Sequence, residues 1–342
     1  MTLKTLMSGK KLENNIKIIA EIASAHNGSI KVLKKISDIA VKLKADYLKF
    51  QIFKNKNLCH NKSKYFKGLN KIEIGYDKWE KIIKKYEKKI NIILEPFDEE
   101  SYFFCKKFKN KNFIKISSSE KDNQFIINDA IKSFKKIFIN ISGYSIDEIQ
   151  KRFGNLNKNK VILMYGYQNF PTDLGKTRFK IFNKLRKKNF LLGYADHSEA
   201  EDTSLTYLGS SIAIQNGATY IEKHITLDRK KKLPDYVSSF EEFEFKNFIK
   251  YFKNFFNMLD NDVISNDEKI YKNEMGKHAV FFKSIKVNKK INKGDIKFLR
   301  TKTKGMKRSD FFDGEKFKNL KTKKNCKKNT LVNFKSIALK KK

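Results

Sequence analysis

The sequence predicts an α/β chain: a (β/α)8 TIM barrel over residues 1–260, a linker over 261–277 and a small β-rich module over 278–342. Three observations carry this expectation. Short β-branched runs recur through the first 260 residues, each followed by a longer Lys-rich stretch. Apolar residues in those stretches repeat with a helical period. The pattern stops at Leu259, where a polar segment gives way to short apolar runs.

The eight predicted strands are IKIIAEIAS (16–24), DYLKFQIF (46–53), NIILEPF (91–97), NFIKISSS (112–119), KIFINIS (136–142), KVILMYG (160–166), NFLLGYAD (189–196) and TYIEKHIT (219–226). Helices are predicted between them, as in 29–44, where apolar residues fall at 32, 33, 36, 39, 40 and 43, and in 77–89, 98–110, 172–188 and 240–259. A doubly wound open sheet is the alternative, because counting strands does not establish closure. Residues 260–277 are polar and read as a linker, and AVFFKSIKV, IKFLRT and NTLVNFKSIAL supply the strands of the module.

The formal net charge of +38 suits an acidic partner. The basic residues are almost all Lys, with Arg only at 152, 178, 186, 229, 300 and 308. Nucleic-acid sites favour the planar, bidentate guanidinium, so nucleic acid is discounted, and an anionic substrate fits the charge equally well. Cys59, Cys105 and Cys326 form no CxxC pair or disulfide framework, which predicts a reducing compartment. The N-terminus shows no apolar signal core and no run long enough to span a membrane, so a cytoplasmic protein is expected.

Barrels carry their chemistry at the carboxyl ends of the strands. Polar residues gather there: Glu21 and His26-Asn27-Gly28, Lys49 and Gln51, Glu95 and Asp98, Lys115 with Ser117 to Glu120, Ser142-Gly143, Gln168, Asp196-His197, and Glu222-Lys223-His224. Residues two apart on a strand share a face, so Glu222 and His224 point one way and Lys223 the other. Lysines inside a barrel are costly unless they meet an anion, so Lys49 and Lys115 suggest a phosphate or carboxylate clamp. Of the five histidines, His197 and His224 end adjacent strands and could bind one divalent ion, with Glu21 or water completing its shell. Blander readings stand beside these: surface lysines with snorkelling stems, hydrogen-bonded structural histidines, a Glu21 ion pair at the barrel bottom, and N-caps at Ser117–Ser119 and Asp98.

The pieces AEIASAHNGS, DYLKFQIFK, EPFDEES, FIKISSSE, YADHSEA and IEKHITLDRKKKLPD, in this order and spacing, resemble the sialic acid synthases, from about Ile16 to Ala338. Those enzymes condense phosphoenolpyruvate with an N-acylated mannose-type sugar. IKVNKKINKGDI looks like the antifreeze-like (SAF) module that the family carries. The resemblance implies that His197 and His224 hold a divalent metal, Mn2+ or Mg2+, with Glu21 beside the metal-bound water or sugar. It implies that Lys49, Lys115 and Ser118 hold phosphoenolpyruvate, with Ser142 and Gln168 at the phosphate and sugar contacts. Gln51, Glu120 and Asp235 are implied to meet the acceptor sugar, and Arg300 to be a basic residue contributed by the small module. A domain-swapped homodimer is implied as well.

The chain departs from the family pattern where Glu95 replaces a Thr before Pro-Phe, at Ile141-Ser142-Gly143, at Gln168-Asn169-Phe170-Pro171, at Ala195 and at TKTKGM (301–306). A carboxylate at Glu95 is expected to repel phosphate. Two other readings remain at this point: a related phosphoenolpyruvate–aldose condensing enzyme of the heptulosonate or octulosonate type, and a noncatalytic barrel that binds acidic partners.

Overall fold

The computed structural model describes residues 16–110, 112–259, 263–311 and 320–339. Two compact units, Met1–Asp260 and Asn261–Lys342, are each described by themselves.

The first unit is a closed parallel barrel. Its strands are β1 (Lys17–Glu21), β2 (Tyr47–Ile52), β3 (Asn91–Pro96), β4 (Phe113–Ile116), β5 (Ile137–Asn140), β6 (Val161–Tyr165), β7 (Leu191–Asp196) and β8 (Ala218–Ile225). They pair in sequence order, and β1 pairs with β8, which closes the sheet and excludes the open doubly wound alternative. Around them lie α1 (Ile30–Lys42), the short α2 (Asn55–Leu58) and α3 (Phe66–Ile72), α4 (Tyr76–Tyr86), α5 (Glu99–Lys106), α6 (Gln124–Ser133), α7 (Ile146–Phe153), α8 (Lys180–Arg186), α9 (Thr203–Gln215) and α10 (Glu242–Leu259). A two-residue β9 (Ser239–Phe240) extends the sheet beside the end of β8, pairing His224 with Ser239.

Local chemistry sets the helix starts. Ser29 caps α1 by accepting the Val32 N–H, and Ser145 closes a capping box with Glu148 on α7. Asp98 caps α5 through the Ser101 N–H at 2.9 Å, as expected. The Ser117–Ser119 cluster is not a cap, because Asn123 caps α6. Gly28, at φ +76°, turns the chain from β1 into α1, and a Cβ there would lie 2.4 Å from the Lys71 carbonyl oxygen.

The barrel interior explains where the site lies. Its apolar layer is Ile19, Tyr47, Ile93, Phe138, Ile162 and Tyr220, with Phe113 packed against it. Each fully buried side chain of this kind contributes about 1.5–3 kcal/mol. Two residues further along the same strands, on the same inward face, stand Glu21, Lys49, Glu95, Lys115, Asn140 and Glu222. The period of two therefore lifts the chain from a greasy plug to a charged layer in one step toward the carboxyl ends. A larger apolar core lies between strands and helices and includes Leu33, Ile83, Tyr102, Phe182 and Phe248.

In the second unit, β10 (Lys277–Phe281) pairs antiparallel with β11 (Ile296–Arg300), and β12 (Leu320–Thr322) with β13 (Ile337–Leu339). Isolated bridges Val280–Leu331 and Ile285–Cys326 tie the runs together around Phe281, Ile291, Phe311 and Val332. Residues 266–275, within the segment read as linker, instead form α11 (Asn266–Met275), started by a capping box between Ser265 and Glu268. Polar composition concealed it, and none of its residues is buried. Among the described residues, no helix is long and apolar enough to cross a membrane.

Candidate active site

Lys49 and Lys115 are 1% and 3% exposed, which rules out the snorkelling alternative. They are not a bare clamp either. The Lys49 ammonium touches Glu21 Oε2, and lies 2.7 Å from Glu95 Oε2 and 2.7 Å from Glu222 Oε1. Lys115 donates to Glu222 Oε1 at 2.9 Å and Oε2 at 3.0 Å, and stands 3.5 Å from Glu95 Oε1. Five strands supply these charges: β2 and β4 the lysines, β3 and β8 the two carboxylates that reach both of them, and β1 Glu21.

The electrostatics follow from burial and pairing. Burial disfavours the Glu222 carboxylate, but Lys115 and Lys49 together outweigh it and hold the group well below the usual range. Burial also works against the Lys115 ammonium, yet Glu222 and Glu95 raise it above its ordinary value. For Lys49 burial prevails, and its value falls. Glu21 is fixed twice, since its Oε1 accepts the Ala23 N–H at 2.5 Å while Oε2 faces Lys49. It belongs to the charged layer and not to the barrel bottom.

The rings of His197 and His224 lie 5.4 Å apart between centroids, at the ends of β7 and β8. Burial drives His197 down to about 4, and burial together with the neighbouring His197 drives His224 well below its ordinary value, so both imidazoles are neutral near pH 7. His197 Nδ1 lies 3.3 Å from the Tyr167 carbonyl oxygen. A carbonyl only accepts, so this contact places the proton on Nδ1 and leaves the Nε2 lone pair free. His224 Nδ1 is buried without a hydrogen-bond partner among the described residues. Two neutral imidazoles with ring nitrogens to spare fit a cation better than a hydrogen-bonded structural pair. Among the described residues, no group of three or more His, Cys, Asp or Glu is arranged to hold a metal ion. Phe170 packs on His197 at 4.5 Å and on His224 at 6.1 Å between ring centroids, and the residue is 48% exposed.

A second buried network braces the pair from outside the barrel. Lys223, fully buried, donates to Asp196 Oδ1 at 2.6 Å and Thr206 Oγ1 at 2.9 Å. The same Asp196 oxygen accepts from Ser198 Oγ at 2.7 Å, which fixes the turn that carries His197. Lys223 thus faces away from Glu222 and His224, as the strand period requires.

The other expected residues divide into two groups. Gln168 Nε2 donates to Ser142 Oγ at 3.3 Å, and Ser142 in turn donates to the Gly166 carbonyl at 2.6 Å, so β5 and β6 bring these two together. Asp235, at φ +64°, accepts the Ser24 N–H at 3.2 Å and so joins the loop after β8 to the loop after β1. Glu120 is engaged by Asn123 Nδ2 at 3.0 Å, Gln51 is half-buried on β2, and Ser118 is exposed after β4. Arg300 ends β11 in the second unit, where it lines a cavity of about 500 Å³ with Glu274, His278 and Lys302. Sequence reasoning did not assign Glu222 its part as the shared acceptor of both lysines, although its face on β8 was correctly read. It gave no part to Phe170, Asn140 or Lys223; the polar residue two places after an interior apolar one was the signal for Asn140.

The fold and site define a (β/α)8 barrel with a charged layer and a neutral histidine pair at the carboxyl ends of its strands. The chain belongs to the NeuB family, whose match spans residues 36–263. An N,N'-diacetyllegionaminic acid synthase of Campylobacter jejuni is 29% identical over 301 residues, covering 82% of this chain and 86% of that protein. An N-acetylneuraminate-9-phosphate synthase of Drosophila melanogaster is 26% identical over 266 residues, covering 72% and 69%. In structure, the N-acetylneuraminic acid (sialic acid) synthetase of Leptospira borgpetersenii, solved in complex with citrate, superposes with a TM-score of 0.64 at 24% identity, over 77% of this chain and 93% of that one.

Proposed function

We propose that the chain condenses phosphoenolpyruvate with the open-chain aldehyde of an N-acylated mannosamine-type sugar, giving a nine-carbon 2-keto sugar acid and inorganic phosphate. The observation that carries this reading is the pair of buried lysines, Lys49 and Lys115, beside two neutral histidines at the carboxyl ends of the barrel strands. The similarity to synthases of legionaminic and neuraminic acids supports the same reaction class.

In this reading carbon 3 of phosphoenolpyruvate forms a bond to the aldehyde carbon, and the aldehyde oxygen takes a proton. Water adds at carbon 2, and the carbon–oxygen bond to phosphate breaks, releasing phosphate and leaving the 2-keto group. Lys49 and Lys115 bind the carboxylate and phosphate of the donor and hold it in line with the acceptor. Glu21, anchored on the Ala23 N–H, orients a water or sugar hydroxyl. His197 and His224 would hold a divalent ion, Mn2+ or Mg2+, and that ion would supply Lewis-acid chemistry at the aldehyde. The Tyr167 carbonyl keeps His197 in the tautomer that such binding needs, and Phe170 shields one side of the pair from water.

The test is phosphate release from phosphoenolpyruvate with Mn2+ or Mg2+ across N-acetylmannosamine, its 6-phosphate and diacetamido-trideoxy hexoses. Release with one of these acceptors, lost in His197→Ala and His224→Ala, is expected. Folded protein that releases phosphate with none of them overturns the reading.

A further inference from the structure

The charged layer contains one carboxylate too many. Glu21, Glu95 and Glu222 face two ammonium groups, Lys49 and Lys115, within the layer. The three carboxylates are not equally held. Glu21 accepts a backbone N–H at 2.5 Å, and Glu222 accepts hydrogen bonds from Lys49 at 2.7 Å and from Lys115 at 2.9 and 3.0 Å. Glu95 Oε2 lies 2.7 Å from the Lys49 ammonium, but no hydrogen bond of good geometry reaches it among the described residues, and its Oε1 stands 3.5 Å from Lys115. A buried carboxylate normally collects several hydrogen bonds, and among the described residues Glu95 is held by the two lysine ammonium groups.

Its place in the fold matters equally. β3 lies between β2 and β4, so Glu95 projects between the two strands that carry the lysines and reaches both. That is the position in which a ligand anion bridging Lys49 and Lys115 would sit. We propose that Glu95 is a built-in competing anion: its carboxylate occupies the Lys49–Lys115 clamp in the free protein, and an anionic substrate binds by displacing it. Glu95 thereby sets the affinity and charge selectivity of the site. Ligands with a single weak anionic group are excluded, and only a ligand with more than one anionic group displaces it effectively. This rests on the proposed role of the lysines in holding the phosphoenolpyruvate anion.

Calorimetric binding of phosphoenolpyruvate and of inorganic phosphate to the full chain tests it, together with the KM for each substrate. Glu95→Gln is expected to bind both anions at least about tenfold tighter, equivalent to about 1.4 kcal/mol, with the KM for the acceptor sugar within about twofold of wild type. Glu95→Asp keeps the charge and is expected to stay within about threefold of wild type, whereas a merely structural role would move both variants together. Unchanged or weaker anion binding in Glu95→Gln overturns the proposal. So does failure of both variants to fold, since a displaceable carboxylate is not a requirement of the core. Tighter anion binding without turnover of any sugar keeps this inference and sinks the synthase reading; turnover with unaltered anion affinity does the reverse.

Discussion

Lys115 on β4 donates to both carboxylate oxygens of Glu222 on β8, at 2.9 and 3.0 Å, across the interior of the barrel. The two strands are not neighbours in the sheet, so this pair, with Lys49, links opposite walls at the level of the site. Removing Glu222 takes both of these contacts from Lys115 and leaves it facing only Glu95, at 3.5 Å, which costs up to about 3–5 kcal/mol. Glu222→Gln is therefore expected to lower the unfolding free energy by that amount, read as a lower denaturant midpoint at an unchanged slope. The pH dependence has a definite sign. The folded carboxyl lies well below its ordinary 4.5, so its contribution is complete above that value and is lost as pH falls through the acid range beneath it. The gap between wild type and variant must therefore narrow only below about pH 4.5. A gap of less than about 1 kcal/mol at pH 7 would show that the pair is offset by its own desolvation.

Lys223 and Asp196 offer a cleaner double-mutant cycle, because both side chains are fully buried and lie outside the charged layer. Lys223→Met leaves Asp196 buried without its ammonium, and a loss of about 3–5 kcal/mol is expected. Adding Asp196→Asn removes the stranded charge, so the double variant should recover at least half of that loss. Equal effects that simply add would deny the coupling.

Most of the barrel was legible in the sequence because its strands are buried on both faces and read as dense β-branched runs. The charged layer was legible in part. Lys49 and Lys115 each follow an interior aromatic by two residues, Tyr47 and Phe113, so their inward direction could be read from the period alone. Their partners could not. Glu222 meets Lys49 only because β8 closes onto β1, and Glu95 meets both lysines only through the register that sets Gln51 opposite Glu95. Separations of 173 and 107 residues carry no local signal for such pairing. The helix α11 escaped notice for a different reason: Ser265 and Glu268 marked its start, but the polar run after them buries none of its residues.

His26 gives an acid-stability prediction independent of the site. It is buried against Trp79, its Nδ1 accepts the Gly28 N–H at 3.0 Å, and burial lowers its value from 6.5 to about 4. A depressed histidine stabilises the fold above its unfolded value and loses that contribution as pH falls from 6.5 to about 4. Each such group contributes a slope of up to about 1.4 kcal/mol per pH unit in this window. Unfolding followed between pH 6.5 and 4.5 should show a shallower loss in His26→Gln than in wild type. Parallel curves would mean that His26 is protonated in the folded state at no extra cost.

The histidine pair yields a prediction that needs no substrate. In the proposed reading the two imidazoles, one with Nδ1 bonded to the Tyr167 carbonyl and the other with Nδ1 unpartnered among the described residues, take a cation at neutral pH. An ion bound only by the folded state stabilises it by RT ln(1 + [L]/Kd), about 2.7 kcal/mol at a hundredfold excess over Kd. Mn2+ added to chelator-treated protein should therefore raise the thermal midpoint, and EDTA should reverse it. His197→Ala and His224→Ala should each abolish the shift. Glu95→Gln should retain it, because its carboxylate serves the lysines and has no contact with either ring among those described. A midpoint that rises equally in the histidine variants would place the ion elsewhere on the chain, and the pair would then be two buried imidazoles whose hydrogen-bonding capacity is met by the substrate alone.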